Sequence, residues 1–126
     1  MIQLGTAVKS TEYPFHRCVV LSDPQANGGQ VVLVRVTTDD GTWPDRDCRL
    51  GPVNWRELDH ASTVAYSTCK FGPAVNALEA AMQRGLFTEI SPPPPALLRR
   101  MIQAARVAEG MPPGARRWLA DETKIQ

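Results

Sequence analysis

The fold of this chain is organised around two segments, Tyr13-Pro-Phe-His-Arg-Cys-Val-Val-Leu-Ser-Asp-Pro24 and Gln30-Val-Val-Leu-Val-Arg-Val-Thr-Thr38. Residues 18–21 form an apolar run of strand length, and residues 31–36 are rich in the β-branched side chains that favour strands. The turn-forming sequence Asn27-Gly-Gly29 lies between them. The pattern therefore predicts two antiparallel strands joined by a Gly-rich turn.

This predicted pairing brings polar residues from distant parts of the sequence to one end of the sheet. Arg17 begins the first strand, and Thr37 lies at the end of the second. In an antiparallel pair these two ends lie side by side. We therefore expect Arg17 and Thr37 to be neighbours in space, with His16 at the entrance of the same strand.

Further short strand-like segments surround the central pair. Residues 3–9, 48–50 and 62–69 are predicted strands, and residues 55–58 form either another short strand or a turn. The segment of residues 39–47 contains Asp-Gly and Pro and is typical of a loop. Five or six short strands at close spacing predict a small barrel or a strongly bent sheet.

The second half of the chain has helical periodicity. Residues 74–84 carry Val75, Leu78 and Met82 at helical spacing, Pro73 fits the first turn, and Gly85 ends the helix. Residues 86–90 are expected to extend back along the sheet. The sequence thus predicts one helix that returns the chain to the strands.

A stiff spacer of four prolines, residues 92–95, precedes a second predicted helix over residues 96–109. A short last helix is predicted over residues 115–121. Because strands come first and helices follow, the predicted class is mainly β with appended helices (α+β). We expect a single domain over residues 1–126, with barrel strands and loops in 1–71 and a helical part in 72–126.

Composition restricts the possible functions. The net charge of +1 is too small to indicate nucleic-acid binding by bulk electrostatics. Eleven of the 14 basic residues are arginine, whose planar fork suits phosphate, although a general arginine bias of the genome is the favoured explanation. No apolar run approaches the roughly 20 residues of a membrane helix, and no signal-peptide pattern opens the chain. The expectation is a cytoplasmic protein without membrane contact.

The three cysteines, Cys18, Cys48 and Cys69, are predicted to be reduced and buried, since their number is odd and each adjoins an apolar segment. A metal site would need them to converge with His16 and His60. None of these residues has the close Cys-x-x-Cys spacing typical of zinc sites. We therefore predict neither a metal nor another cofactor.

The sequence His16-Arg-Cys-Val-Val-Leu-Ser22, followed by Val34-Arg-Val-Thr-Thr38, resembles the core of the MazF/PemK family of toxins. In that family a Gly-x-Arg-Pro-Val-Val-Val-Leu-Ser type strand leads to a hydrophobic strand that ends in Thr. A pattern found in some PemK-like proteins is similar to Asp45, Cys48, His60, Ser62 and Tyr66. The resemblance covers roughly residues 3–70.

The resemblance implies an SH3-like β-barrel, usually a homodimer, that acts as the toxin of a type II toxin–antitoxin pair. Typical members are metal-independent endoribonucleases that an antitoxin protein inhibits. They cleave single-stranded RNA by attack of a ribose 2′-hydroxyl on the adjacent phosphorus, which leaves a 2′,3′-cyclic phosphate. By position, Arg17 matches the catalytic arginine of the family and Thr37 its catalytic threonine.

The chemistry of that reaction agrees with these residue types. Arg17 supplies charge and directed hydrogen bonds to the phosphoryl oxygens without a metal, and the Thr37 hydroxyl supplies one more bond. His16 is a further candidate, as acid or base. Three residues complete the site as candidate RNA contacts: Thr38, Arg35, and Trp43, which could stack on a base.

A catalytically inactive SH3-like module that binds a protein partner is the alternative. Three departures from the family pattern favour it. Cys18 stands where the family has proline, the loop before Arg17 is reduced to residues 10–14, and the first strand keeps only Gly5 of the usual Gly-Asp-Ile/Val start. The alternative predicts an apolar groove without converging basic groups.

Overall fold

Six antiparallel strands form one sheet in a computed structural model of the chain, which describes residues 2–72 and 75–126. The order across the sheet is β4-β5-β3-β2-β1-β6. The strands span β1 Ala7–Ser10, β2 Arg17–Val20, β3 Val31–Thr38, β4 Arg49–Leu50, β5 Ser62–Gly72 and β6 Phe87–Ile90. The predicted central pair is therefore confirmed as β2 and β3, with β5 on the other side of β3.

Helices follow and interrupt the strands as α1 Val75–Gln83, α2 Pro95–Val107 and α3 Pro113–Arg116, with a 3-10 turn over Glu122–Lys124. The predicted class, mainly antiparallel β with a few helices, is confirmed. No helix in the described ranges is long and apolar enough to cross a bilayer.

The two faces of the sheet have different roles. On one face, here called the core face, Val19, Val34, Val36 and Val64 belong to the main hydrophobic cluster. Helix α2 covers this face with five buried side chains, Leu97, Leu98, Met101, Ile102 and Ala105. The cluster thus joins residues from both halves of the chain.

The opposite face, here called the outer face, is only partly covered. Leu78 of α1 packs there with Ile2, Val20 and Val31 in a second, smaller cluster. Cys18, Arg35 and Thr37 share this face farther along the strands, because side chains alternate between faces along each strand. Part of the outer face therefore remains uncovered.

The predicted closure into a barrel is not observed. Strands β4 and β6 lie at opposite edges of the sheet, and within residues 2–72 and 75–126 no ladder joins them. The pairing of β3 with β5 contains an irregularity instead, since Leu33 pairs with Lys70 whereas Arg35 pairs with Ala65. Four residues of β5 therefore lie opposite one residue of β3, as in a large bulge, which bends a strand.

Several predicted boundaries differ from the observed ones. The first strand begins at Ala7, because residues 3–6 form a turn in which the Gln3 amide donates to Thr6 Oγ1 at 3.0 Å. Residues 55–58 form a turn, which was one of the two predicted forms. Pro95 is the first residue of α2, so the proline spacer ends at Pro94, and the helix ends at Val107.

The predicted last helix over residues 115–121 overlaps the observed one only at residues 115–116. Helix α3 ends at Arg116, and Leu119 instead forms a bridge with Ser22. The Ala120 amide donates to Leu21 O at 3.0 Å, so strand-like bonds replace the helical ones here. The start of the first predicted helix, at Pro73 and Ala74, lies outside the described residues, as does the side chain of Val75.

Candidate functional site

Arg17 and the end of β3 are adjacent, as the sequence predicts. Arg17 pairs with Val36, and Thr37 and Thr38 are the next two residues of β3. Because side chains alternate, Thr38 shares the core face with Arg17, whereas Thr37 points to the outer face. The hydroxyl best placed to act together with Arg17 is therefore that of Thr38.

The strand pairing places Thr38 next to His60. Thr38 pairs with Ser62 at the start of β5, and the Asp39 amide donates to Ala61 O at 3.0 Å, which continues the ladder by one step. His60 consequently lies beside Thr38, with 2.8 Å between Thr38 Oγ1 and His60 Nε2. The local β pairing, and not a chance loop contact, holds these two side chains together.

Asp59 completes a chain of three side chains through a short contact of its Oδ1 with His60 Nδ1. The bond with His60, and more weakly the charge of Arg17, lower the pKa of Asp59. An ionised carboxylate only accepts hydrogen bonds, so Nδ1 must carry a hydrogen. In a neutral His60, Nε2 is then an acceptor, and the Thr38 hydroxyl donates to it.

These residues open into a cavity of about 290 Å³, here called the strand-end pocket. Arg17 is half-buried in it, and its Nε is buried without a hydrogen-bond partner among the described residues. Arg17 lines the pocket, where its positive charge can attract an anionic ligand. The pocket is lined by Tyr13, Pro14, Phe15, His16, Arg17, Val36, Thr37, Thr38, Leu58, His60 and Ser62.

His16 lies between this pocket and the outer face. Its pKa is lowered, first by burial and then by the positive charge of Arg35. A histidine with a lowered pKa is neutral at pH 7 and is better suited to accept a proton than to donate one. Of the two expected roles, acid or base, the structure favours base for His16.

Arg35 and Trp43, two of the predicted RNA contacts, lie together away from the Arg17 side chain. Arg35 pairs with Cys18 and shares its face, the outer one. Its guanidinium lies over the Trp43 ring, 5.7 Å from the ring centre. The predicted site residues thus form two groups, with Arg17 and Thr38 on the core face and Arg35, Trp43 and Thr37 on the outer face.

The PemK-like pattern divides in a similar way. Asp45 is buried and accepts hydrogen bonds from the Ser67 amide at 3.1 Å and from the Ser67 hydroxyl, which fixes the loop of residues 39–47 to β5. Tyr66 is in the core, where its hydroxyl donates to Met101 O at 2.7 Å. Only His60 and Ser62 line the strand-end pocket. Asp45, Cys48 and Tyr66 therefore support the fold.

Asp59 and the role of His60 were missed by sequence reasoning, which includes His60 in the PemK-like pattern but not among the candidate site residues. The adjacent Asp-His pair was the available signal. This pair indicates a site only when the register of β3 with β5 is known, because that register places Thr38 against the His60 imidazole.

No family model matches this chain, and a search of curated proteins returns no similar sequence. In residues 2–72 and 75–126, no group of three or more His, Cys, Asp or Glu side chains could hold a metal ion. The cysteines are free and buried. Function must therefore be argued from the geometry itself.

Proposed function

We propose that this protein is a metal-independent endoribonuclease that cleaves single-stranded RNA by 2′-hydroxyl transesterification. The observation that carries the proposal is the Asp59–His60–Thr38 chain beside Arg17, whose Nε has no hydrogen-bond partner among the described residues, in one open pocket. A base oriented by a third group, next to a cation, matches what this reaction needs.

In the proposed step, His60 Nε2 accepts the proton of the ribose 2′-hydroxyl when that hydroxyl replaces Thr38 as its donor. The 2′-oxygen then bonds to phosphorus, and the bond from phosphorus to the 5′-oxygen breaks. Water protonates the departing 5′-oxygen, and the resulting hydroxide removes the accepted proton from His60, whose side chain is 47% exposed. The products are a 2′,3′-cyclic phosphate and a 5′-hydroxyl. His16 is a second acceptor at the same pocket.

Arg17 has the electrostatic role. Negative charge grows on the non-bridging phosphoryl oxygens as the 2′-oxygen attacks. A guanidinium donates directed, charge-assisted bonds to such oxygens, and its charge does not depend on pH in the physiological range. Thr38 holds the His60 ring in place before the substrate arrives, and its hydroxyl is free to bond to the phosphate afterwards.

Membership of the MazF/PemK toxins, and with it an SH3-like barrel, belongs to the same proposal. The adjacency of the two resembling segments, as β2 and β3, supports it. The open sheet edges at β4 and β6 are the departure from that architecture. The proposal includes a cytoplasmic homodimer whose activity an antitoxin protein blocks.

The test is cleavage of a long single-stranded RNA in excess EDTA by the wild type, Arg17→Ala and the control Arg84→Ala, which removes an exposed arginine at the end of α1. Arg17→Ala should lose about 10²-fold or more in rate, the usual cost of removing a donor to a developing oxyanion. Arg84→Ala should match the wild type. Equal rates for Arg17→Ala and the wild type would refute the proposed site.

An inactive module that binds a protein partner is the second candidate, and one observation favours it. Tyr13 is 86% exposed and Phe15 44% exposed at the rim of the pocket, with their rings edge to face. Exposed aromatic side chains are enriched in protein interfaces. A folded wild type that cleaves no RNA, together with a partner whose binding is lost in Tyr13→Ala, would favour this candidate.

A further inference from the structure

The uncovered part of the outer face contains a second cavity, here called the face groove, of about 500 Å³. Helix α1 covers the neighbouring part of this face, where Leu78 packs with Val20 and Val31, and the partly buried Leu33 and Phe87 lie against that cluster. The face groove is lined by Ser10, His16, Cys18, Leu33, Arg35, Thr68, Lys70 and Phe87.

Two cations lie in the face groove without a counter-ion. Leu33 pairs with Lys70, and Arg35 is two residues farther along β3, so both charged side chains are on the outer face. No carboxylate is among the described lining residues, and the described residues form no ion pair with either cation. Arg35 Nε is buried and has no hydrogen-bond partner there. The arrangement suits an anion.

The face groove also has an apolar part, which includes the flat ring of Phe87. Leu33, Cys18 and Phe87 line it, and all three are buried or half-buried. The Trp43 ring lies against the Arg35 guanidinium and restricts its orientation. A small inorganic anion would leave this apolar surface unused, and a purely apolar ligand would leave two cations uncompensated. A ligand with a phosphate and a planar ring satisfies both parts.

We propose that the face groove binds a nucleoside phosphate, with the phosphate between Arg35 and Lys70 and the base against Leu33 and Phe87. This site is distinct from the strand-end pocket, and His16 is the residue that lines both cavities. The nucleoside phosphate is either a free mononucleotide or one unit of an RNA strand. Binding does not require cleavage, so the two proposals fail separately.

The test is isothermal titration calorimetry on the full chain with four ligands: AMP, UMP, inorganic phosphate, and a pentanucleotide whose 2′-hydroxyls are all replaced by hydrogen. The deoxy pentanucleotide cannot undergo the proposed cleavage. Saturable binding of a mononucleotide identifies the free nucleotide as a ligand, and binding of the pentanucleotide alone identifies a strand. Inorganic phosphate should bind more weakly than either nucleotide ligand.

Arg35→Ala and Lys70→Ala should each weaken nucleotide binding by about tenfold or more, since each removes a hydrogen bond to a charged group. Arg35→Lys keeps the charge and should retain part of the affinity. Arg84→Ala, which removes an exposed arginine outside both cavities, should bind as the wild type does. Circular dichroism verifies that each variant is folded.

Three results would overturn the proposal. The first is the absence of saturable binding by any nucleotide ligand. The second is nucleotide binding that is unchanged in both Arg35→Ala and Lys70→Ala. The third is inorganic phosphate that binds as tightly as AMP and UMP. Loss of binding in Arg17→Ala alone would assign the nucleotide to the strand-end pocket and would also contradict the proposal. None of these results depends on whether the wild type cleaves RNA.

Discussion

Two adjacent threonines, Thr37 and Thr38, differ in which face of the sheet they occupy. The resemblance to toxins points to Thr37, whereas the register puts Thr38 on the side of Arg17 and within 2.8 Å of His60. One residue of register thus decides which hydroxyl takes part in the proposed catalysis.

Thr38→Val should lower the rate of RNA cleavage by about 10²-fold, because it removes the hydroxyl that positions His60 while it keeps the side-chain shape. Thr37→Val is the matched control and should stay within about threefold of the wild type. Rates are measured on one labelled RNA under single-turnover conditions. If Thr37→Val lowered the rate more than Thr38→Val, the position matched by the resemblance to the toxins, and not the observed register, would identify the catalytic threonine.

His16 provides a prediction about charge. Because burial and Arg35 both lower its pKa, NMR titration should place its midpoint below the ordinary value of 6.5. Arg35→Ala should raise that midpoint and leave it below 6.5, since burial is the larger cause. Arg84→Ala should leave it unchanged. A midpoint at or above 6.5 in the wild type would contradict the described surroundings of His16.

The same shift has a consequence for stability. The unfolded chain binds a proton at His16 more readily than the folded chain does, so the stabilising contribution is present above pH 6.5 and is lost as the pH falls through the folded-state pKa. His16→Ala should therefore unfold with a weaker dependence on pH between neutral and mildly acidic conditions than the wild type.

At the level of elements, the loop of residues 39–47 is held by one buried carboxylate. Asp45 accepts two bonds from Ser67, and a side chain at Gly110 would meet Asp45 Oδ1 at 2.7 Å. The loop, β5 and the segment after α2 therefore meet at a close contact that only glycine permits.

Asp45→Ala should lower the free energy of unfolding by about 1.5–3 kcal/mol, the typical range for a hydrogen bond to a charged group. The exposed neighbour Asp47 supplies the control, because Asp47→Ala should change stability by no more than about 0.5 kcal/mol. Urea unfolding measures both. Equal effects of the two substitutions would mean that the buried carboxylate does not hold the loop.

Strand and helix assignments depended on periodicity and were mostly predictable. The segments of β2, β3 and β5 have β-branched residues, and α2 has a clear apolar stripe, so local signals agreed with the fold there. The last helix was not predictable, because the Leu119 bridge to Ser22 depends on a contact between the ends of the chain. That pairing outweighs the local preference of this segment for a helix.

The site was predictable to a lesser extent. Arg17 and its proximity to the end of β3 follow from the antiparallel hairpin alone. The choice of Thr38 over Thr37, the contact with His60, and the Lys70 side of the face groove all depend on the register of β3 with β5. That register includes the irregularity between Leu33 and Arg35, for which the sequence contains no turn or glycine signal.

On the scale of the whole molecule, the two proposed sites lie on different faces of the sheet. The strand-end pocket contains Arg17 and Thr38 of the core face, and the face groove contains Arg35 and Lys70 of the outer face. A net charge of +1 means that affinity for RNA must come from these few placed cations. Both proposals therefore rest on local geometry.

The most direct test of the central claim uses an RNA in which a single nucleotide, the one 5′ to a mapped cleavage position, carries hydrogen in place of its 2′-hydroxyl. The proposed mechanism predicts that cleavage at that position disappears in excess EDTA. Other positions are still cut, and each cut leaves a cyclic phosphate. Persistent cleavage at the substituted position would show that the 2′-oxygen is not the nucleophile and would contradict the proposed mechanism.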